Sequence, residues 1–184
     1  MRIVIGITGA SGAALGYRFI ERLNRMGQET HVVVSRWGAE TLAHETGRSL
    51  AELQRLATAF YDEKNMAAAI SSGSFQVDAM VVIPCSMKTL AAINSGVSAN
   101  LVARAADVTL KEGRKLVLVV RETPLSCIHL RNMLELSRLG VTIMPPVMAY
   151  YSLSEKPEEL MDAFLGRVMD QLGLENSLVR RWRG

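Results

Sequence analysis

The sequence predicts an α/β fold, a three-layer αβα sandwich around a mostly parallel, doubly wound sheet. Short apolar runs rich in Val and Ile alternate with longer runs of helical period, and a glycine-rich turn joins the first of each kind. Length agrees with this. At 184 residues, 49% of them hydrophobic, the chain suffices for one full core, and residues 1–184 are expected to form one domain.

The elements follow in order. Strands are expected at Ile3–Ile7, Thr30–Val34, Ala79–Ile83, Leu116–Val120 and Thr142–Met144, each rich in Val, Ile or Met as a strand buried on both faces should be. The first helix, Ala13–Met26, carries Leu15, Phe19, Leu23 and Met26 at steps of three or four, and Gly27 stops it. Similar periods mark Trp37–His44, Leu50–Ala57, Lys88–Asn94, Leu101–Leu110, Leu130–Leu139 and Glu158–Leu172. Pro157 ahead of Glu158 and Glu159 is a normal opening for the last. The strand order is Rossmann-like or flavodoxin-like, and both stay open.

Composition excludes several classes. Apolar runs reach about ten residues, short of the ~20 that cross a bilayer, so no membrane span is expected. The chain enters Ile3-Val4-Ile5-Gly6 without the features of a secretory signal, which points to the cytoplasm. Cys85 and Cys127 belong to no CxxC or Cys/His cluster, so neither zinc nor a disulfide is expected. A formal charge of +3 is too small to argue for nucleic acid, and Arg180-Arg181-Trp182-Arg183 is the one dense basic cluster. Ten Met against four Phe suit adaptable, self-associating surfaces. His31, His44 and His129 show no ligand spacing and take no catalytic role.

Ligands of such sheets bind beyond the C-terminal strand ends, where four loops stand out. Gly6-Ile7-Thr8-Gly9-Ala10-Ser11-Gly12 lets backbone approach a ligand and aims helix N–H groups at an anion; equally, it is a tight turn with Ser11 as helix cap. Pro84-Cys85-Ser86-Met87-Lys88-Thr89 is a second anion cradle or a second capped helix start, with Cys85 a small buried thiol. Arg121 and Glu122 end the fourth strand as binding charges or solvated ones. Pro145–Tyr151 is stiff and apolar, a pocket wall or a subunit contact. Arg104 and Lys111, seven apart, share one helix face.

Five stretches in this order, GITGASGAALG, SSGSFQVDAMVVIPCSMKTLAAINSG, NLVARAADVTLKEGRKLVLVVRETPL, HLRNMLELSRLGVTIMPP and GRVMDQLG, resemble the UbiX-type flavin prenyltransferases from about Ile5 to Gly173. These were formerly called aromatic acid decarboxylases of the phenylacrylic type. The resemblance implies a flavoprotein fold and a homo-dodecamer binding FMN between subunits, with residues 174–184 packing on a neighbouring subunit. It implies a metal-independent enzyme that joins dimethylallyl phosphate to reduced FMN at N5 and C6. The product, prenylated FMN, serves UbiD-type decarboxylases in ubiquinone or phenolic acid metabolism.

The same resemblance assigns residues. FMN would contact Gly9, Ala10, Ser11, Ser35, Ser86, Met87, Lys88, Thr89, Arg104 and Arg121. The allylic phosphate would meet Lys111, Arg121, Tyr151 and Arg167. Ser11, Glu45, Lys111, Glu122 and Trp182 would carry the chemistry. A Lys, two Arg and a Tyr hydroxyl can stabilise a departing phosphate without metal. Tyr150, where a Phe is common, and Asn94, where a small residue is usual, depart from the family pattern outside these positions. Two other readings have distinct marks. An FMN-dependent cysteine-type decarboxylase of the same fold would carry a PASANT-type motif and a catalytic His, and a non-catalytic FMN-carrying subunit would need no second anion site.

Overall fold

The computed structural model describes residues 1–149, 156–179 and 181. Six strands, β1 (Arg2–Ile7), β2 (Glu29–Val34), β3 (Ala59–Asp62), β4 (Ala79–Cys85), β5 (Lys115–Val120) and β6 (Thr142–Ile143), form one sheet in the order β3-β2-β1-β4-β5-β6. All five pairings are parallel. This is the Rossmann order, with the switch of direction between β1 and β4. The helices are α1 (Ala13–Arg25), α2 (Arg36–Thr46), α3 (Leu50–Leu56), α4 (Met87–Asn94), α5 (Leu101–Lys111), α6 (Cys127–Arg138) and α7 (Pro157–Leu172), with a 3₁₀ turn at Ala69–Ser71.

The period of two along each strand divides the interior into two cores. Ile3, Ile5 and Ile7 pack with Phe19, Ile20 and Leu23 of α1 and with Phe164 and Leu165 of α7. Val4, Met80 and Val82 face the other way, onto Leu90 of α4, Leu101 and Val102 of α5 and Leu136 of α6. Phe19 is wholly buried, and its truncation to Ala should cost about 3–5 kcal/mol. On the first face Asp162 of α7 accepts paired hydrogen bonds from Arg18 and Arg22 of α1, at 2.6–3.1 Å, which fixes α7 over α1.

The five expected strands form, and β3 is an addition. It is a four-residue edge strand, at best half-buried, and its apolar run, Ala59-Phe60-Tyr61, is shorter than the central ones and holds no Val or Ile. Helix α6 begins at Cys127, three residues ahead of expectation, because Ser126 and His129 make a reciprocal capping box. Strand β6 stops at Ile143, although the Met144 N–H still reaches the Leu118 carbonyl at 2.9 Å.

Parallel topology gathers helix starts at one edge. The chain leaves β1, β2, β4 and β5 into the N-termini of α1, α2, α4 and α6. Helix α5 opens there too, its Leu101 N–H donating to the carbonyl of Glu63 just past β3 at 2.8 Å.

Candidate functional site

The β1–α1 loop is held from α2. Glu45 accepts from the N–H groups of Gly12 at 2.7 Å and Ala14 at 3.0 Å, so its carboxylate fills the positive end of α1. Ser11 therefore does not cap the helix. The N-cap is Gly12, at φ +106°, and Ser11 is exposed beside it. Gly9 is exposed as well, and a Cβ there would overlap the Cβ of Trp37, so the loop needs glycine where it passes α2. Trp37 lies 65% exposed at this rim, with the Arg36 guanidinium 5.8 Å from its ring centre.

Two serines cap the neighbouring helices. Ser35 accepts from the Gly38 N–H at 3.1 Å to open α2. Ser86 accepts from the Thr89 N–H at 3.3 Å to open α4, and the two hydroxyls lie 3.1 Å apart. The other first-turn N–H groups of α4, at Met87 and Lys88, have no intrahelical partner. Cys85 is fully buried, which pushes its thiol well above the ordinary range and leaves it an inert core group. Beside α4 lies a groove of about 380 Å³ lined by Glu63, Lys64, Lys88, Thr89, Asn100 and Ala103.

Past β5, Arg121 and Glu122 are exposed, and the Glu122 carboxylate accepts from the Thr123 N–H at 3.1 Å. Arg121 and Lys88 make no side-chain hydrogen bond or ion pair among the described residues. These groups suit a flavin mononucleotide: three hydroxyls, first-turn N–H groups, two uncommitted cations and a glycine cradle that a side chain would fill. Ser35, Ser86 to Thr89 and Arg121 would hold it, with Gly9 to Ser11 alongside.

The remaining cations lie elsewhere. Arg104, on α5, donates to the Ser71 carbonyl at 3.1 Å and to Asp107 at 2.8 Å. Lys111 ends α5 against Glu112, whose carboxyl it holds below the usual range. Only a short turn separates Lys111 from the start of β5, whereas Arg121 follows its end, so the six residues of β5, about 20 Å, stand between them. Arg167 sits on α7, on the opposite face from α5, exposed and 3.4 Å from Asp170. One chain thus brings together Gly9 to Ser11, Ser35, Glu45, Ser86 to Thr89, Arg121 and Glu122, and does not bring Lys111 or Arg167 to them. Tyr150, Tyr151 and Trp182 lie outside the described residues. Residues 174–179 rest on their own α7, with Asn176 donating to the Gly166 carbonyl at 3.1 Å.

Sequence reasoning missed Thr8 and Glu63. Thr8 joins the β1–α1 loop to the β4–α4 loop; Glu63 accepts from the Arg36 N–H at 2.8 Å and from Asn100 at 3.0 Å, tying α2 to α5. Neither carries a local motif, because both bond to residues far off in sequence.

The chain matches the Flavoprotein family over residues 1–169. It is 52% identical over 185 residues to a "Probable UbiX-like flavin prenyltransferase" of Streptomyces sp. (strain D7), covering 100% of this chain and 92% of that one. The chain belongs to the UbiX-like flavin prenyltransferase family. A dodecameric FMN-dependent Ubix-like decarboxylase from Escherichia coli O157:H7 superposes on this family member with TM-score 0.98 at 51% identity, over 100% of both chains. AnUbiX (PadA1), crystallised with FMN and dimethylallyl pyrophosphate, gives 0.98 at 50% identity, over 100% of this chain and 97% of that one. Among the described residues, no helix is long and apolar enough to cross a membrane, and no three His, Cys, Asp or Glu converge as metal ligands.

Proposed function

We propose that the protein joins the dimethylallyl group of dimethylallyl phosphate to N5 and C6 of reduced FMN, making prenylated FMN for a UbiD-type decarboxylase. One observation carries the reading: an anion cradle at the sheet edge in every chain, and a second set of cations, Lys111 and Arg167, turned outward elsewhere. Copies of the chain complete the site by lending these cations to each other's cradles, in a homo-dodecamer like that of the E. coli relative. The apolar side chains of Ile128, Leu130 and Leu134, exposed on α6 just beyond Arg121, suit contact between copies. A flavin carrier would have no use for the second set. We place the reaction in the cytoplasm.

Bound reduced FMN supplies the nucleophilic ring positions. Lys111, Arg121, Arg167 and Tyr151 neutralise the phosphate as the allylic C–O bond breaks, in a pocket whose low dielectric strengthens each contact. Glu122 and Ser11 move protons, and Trp182 helps keep water from the allylic cation. Glu45 keeps the Gly9–Gly12 loop in shape through the α1 N–H groups.

Incubating the protein with reduced FMN and dimethylallyl phosphate without oxygen should give an extractable flavin heavier by one five-carbon unit. Recovery of unmodified FMN alone from folded protein would end the proposal. Running the diphosphate in parallel asks which donor is used.

A further inference from the structure

We infer that Thr8 is a positioning residue that ties the Ser86–Thr89 loop to the end of β1, and that FMN affinity depends on this tie. The inference rests on the placement of FMN at that loop. Thr8 is 1% exposed, yet its hydroxyl is fully used. It donates to the Pro84 carbonyl at 2.8 Å and accepts from the Ser86 N–H at 2.8 Å. The registered pairing of β1 with β4 ends at Gly6 and Val82, and β4 shifts register against β5 between Val82 and Cys85. Beyond Val82 one backbone bond still joins the two strands, from the Thr8 N–H to the Pro84 carbonyl at 3.2 Å, and it stops short of fixing Ser86. The Thr8 side chain takes over that task two residues past the last rung.

Ser86 passes the constraint onward, since its own hydroxyl caps α4 at the Thr89 N–H. The backbone of Thr8 serves the other loop, its carbonyl accepting from the Ala10 N–H at 2.9 Å. A side-chain substitution therefore frees the Ser86 loop and spares the glycine loop. In Thr8→Val the Pro84 carbonyl keeps the Thr8 N–H at 3.2 Å, and the half-exposed Ser86 can turn its N–H to water. Folding is largely spared while the loop loses its tie.

The test measures FMN binding to flavin-stripped protein and the thermal midpoint without FMN. Thr8→Val should weaken FMN about tenfold, the worth of roughly one hydrogen bond, and move the midpoint by only a few degrees. Thr8→Ser, which keeps the hydroxyl, should stay within about twofold of the parent. Thr8→Cys, a poor partner for an N–H, replaces the Val variant if that does not fold. Ser86→Ala should weaken FMN by itself and leave Thr8→Val little further to remove. Normal FMN binding by Thr8→Val alongside weak binding by Ser86→Ala would overturn the tie alone. Normal binding by both would overturn the placement of FMN as well.

Discussion

The loops at the C-terminal edge of the sheet and the cations on α5 and α7 follow different rules. At the edge, each predicted contact lies within a few residues of a strand end, and caps and cross-links fix it: Ser35 on α2, Ser86 on α4, Glu45 across α1. Lys111 and Arg167 occupy opposite faces of the sheet, their partners are neighbours on their own helices, and their side chains are about half-exposed. The edge is organised by one chain. In the function proposed above, the helix cations serve another.

The largest expected effect breaks this contrast directly. Lys111→Ala should lose about 10²–10³-fold in prenyl transfer while binding FMN as the parent does. Arg121→Ala should lose both. If one copy lends Lys111 to another's Arg121, co-assembled mixtures of the two variants should regain part of the activity, because some sites then combine two intact residues. Inactive mixtures in confirmed hetero-assemblies would mean that copies do not share the site.

Next comes the clamp that holds α7, and with it Arg167, over α1. Burial pushes the Asp162 carboxyl up, but Arg18 and Arg22 outweigh it and hold it below the ordinary range. A depressed folded value stabilises the protein above the unfolded pKa of about 3.9 and ceases to do so as pH falls through the folded value. Asp162→Asn should cost about 1–2 kcal/mol near neutrality, the lower end reflecting screening by solvent, and lower the thermal midpoint by roughly 2–8 °C. The gap between variant and parent should close below about pH 4, and a constant gap in thermal melts would show that the charge is not the source.

Glu45 separates the two regions further, because the resemblance assigns it chemistry and its contacts make it a buttress of the glycine loop. Glu45→Gln keeps the length and removes the charge at the positive end of α1, at a cost of about 0.5–1 kcal/mol. FMN affinity should fall more than turnover at saturating FMN. A loss confined to turnover would make Glu45 a chemical group rather than a buttress.

Much of the edge was legible because strand-end loops and capping serines are local signals. The runs at Ile3–Ile7 and Ala79–Ile83 announced the central strands, and Ser86 with Thr89 announced a capped helix start three residues apart. Strand β3 was hidden because Ala59–Asp62 is a short edge strand whose three apolar residues include no Val or Ile. The roles of Glu45 and Thr8 were hidden because their partners lie 31 to 33 and 76 to 78 residues away, where no spacing rule reaches. The seven-residue step correctly put Arg104 and Lys111 on one face of α5, but the distance from Lys111 to Arg121 depends on the direction of β5 between them.

The smallest effect tests whether a cap at the edge differs from a cap elsewhere. Ser35 and Ser49 are both N-caps in extended backbone accepting from the third residue onward, and Ser49 adds a reciprocal bond with Glu52. Either one changed to Ala should cost about 0.5–1 kcal/mol of stability, toward the upper end at Ser35, because the Gly38 N–H it leaves without a cap is buried whereas that of Glu52 is partly exposed. Helix α3 carries no predicted contact, so Ser49→Ala should leave FMN affinity unchanged, whereas Ser35→Ala should weaken FMN several-fold. Comparable stability losses with a binding loss in Ser35→Ala alone would separate capping from ligand contact. Equal binding losses would mean that Ser35 acts only by holding α2.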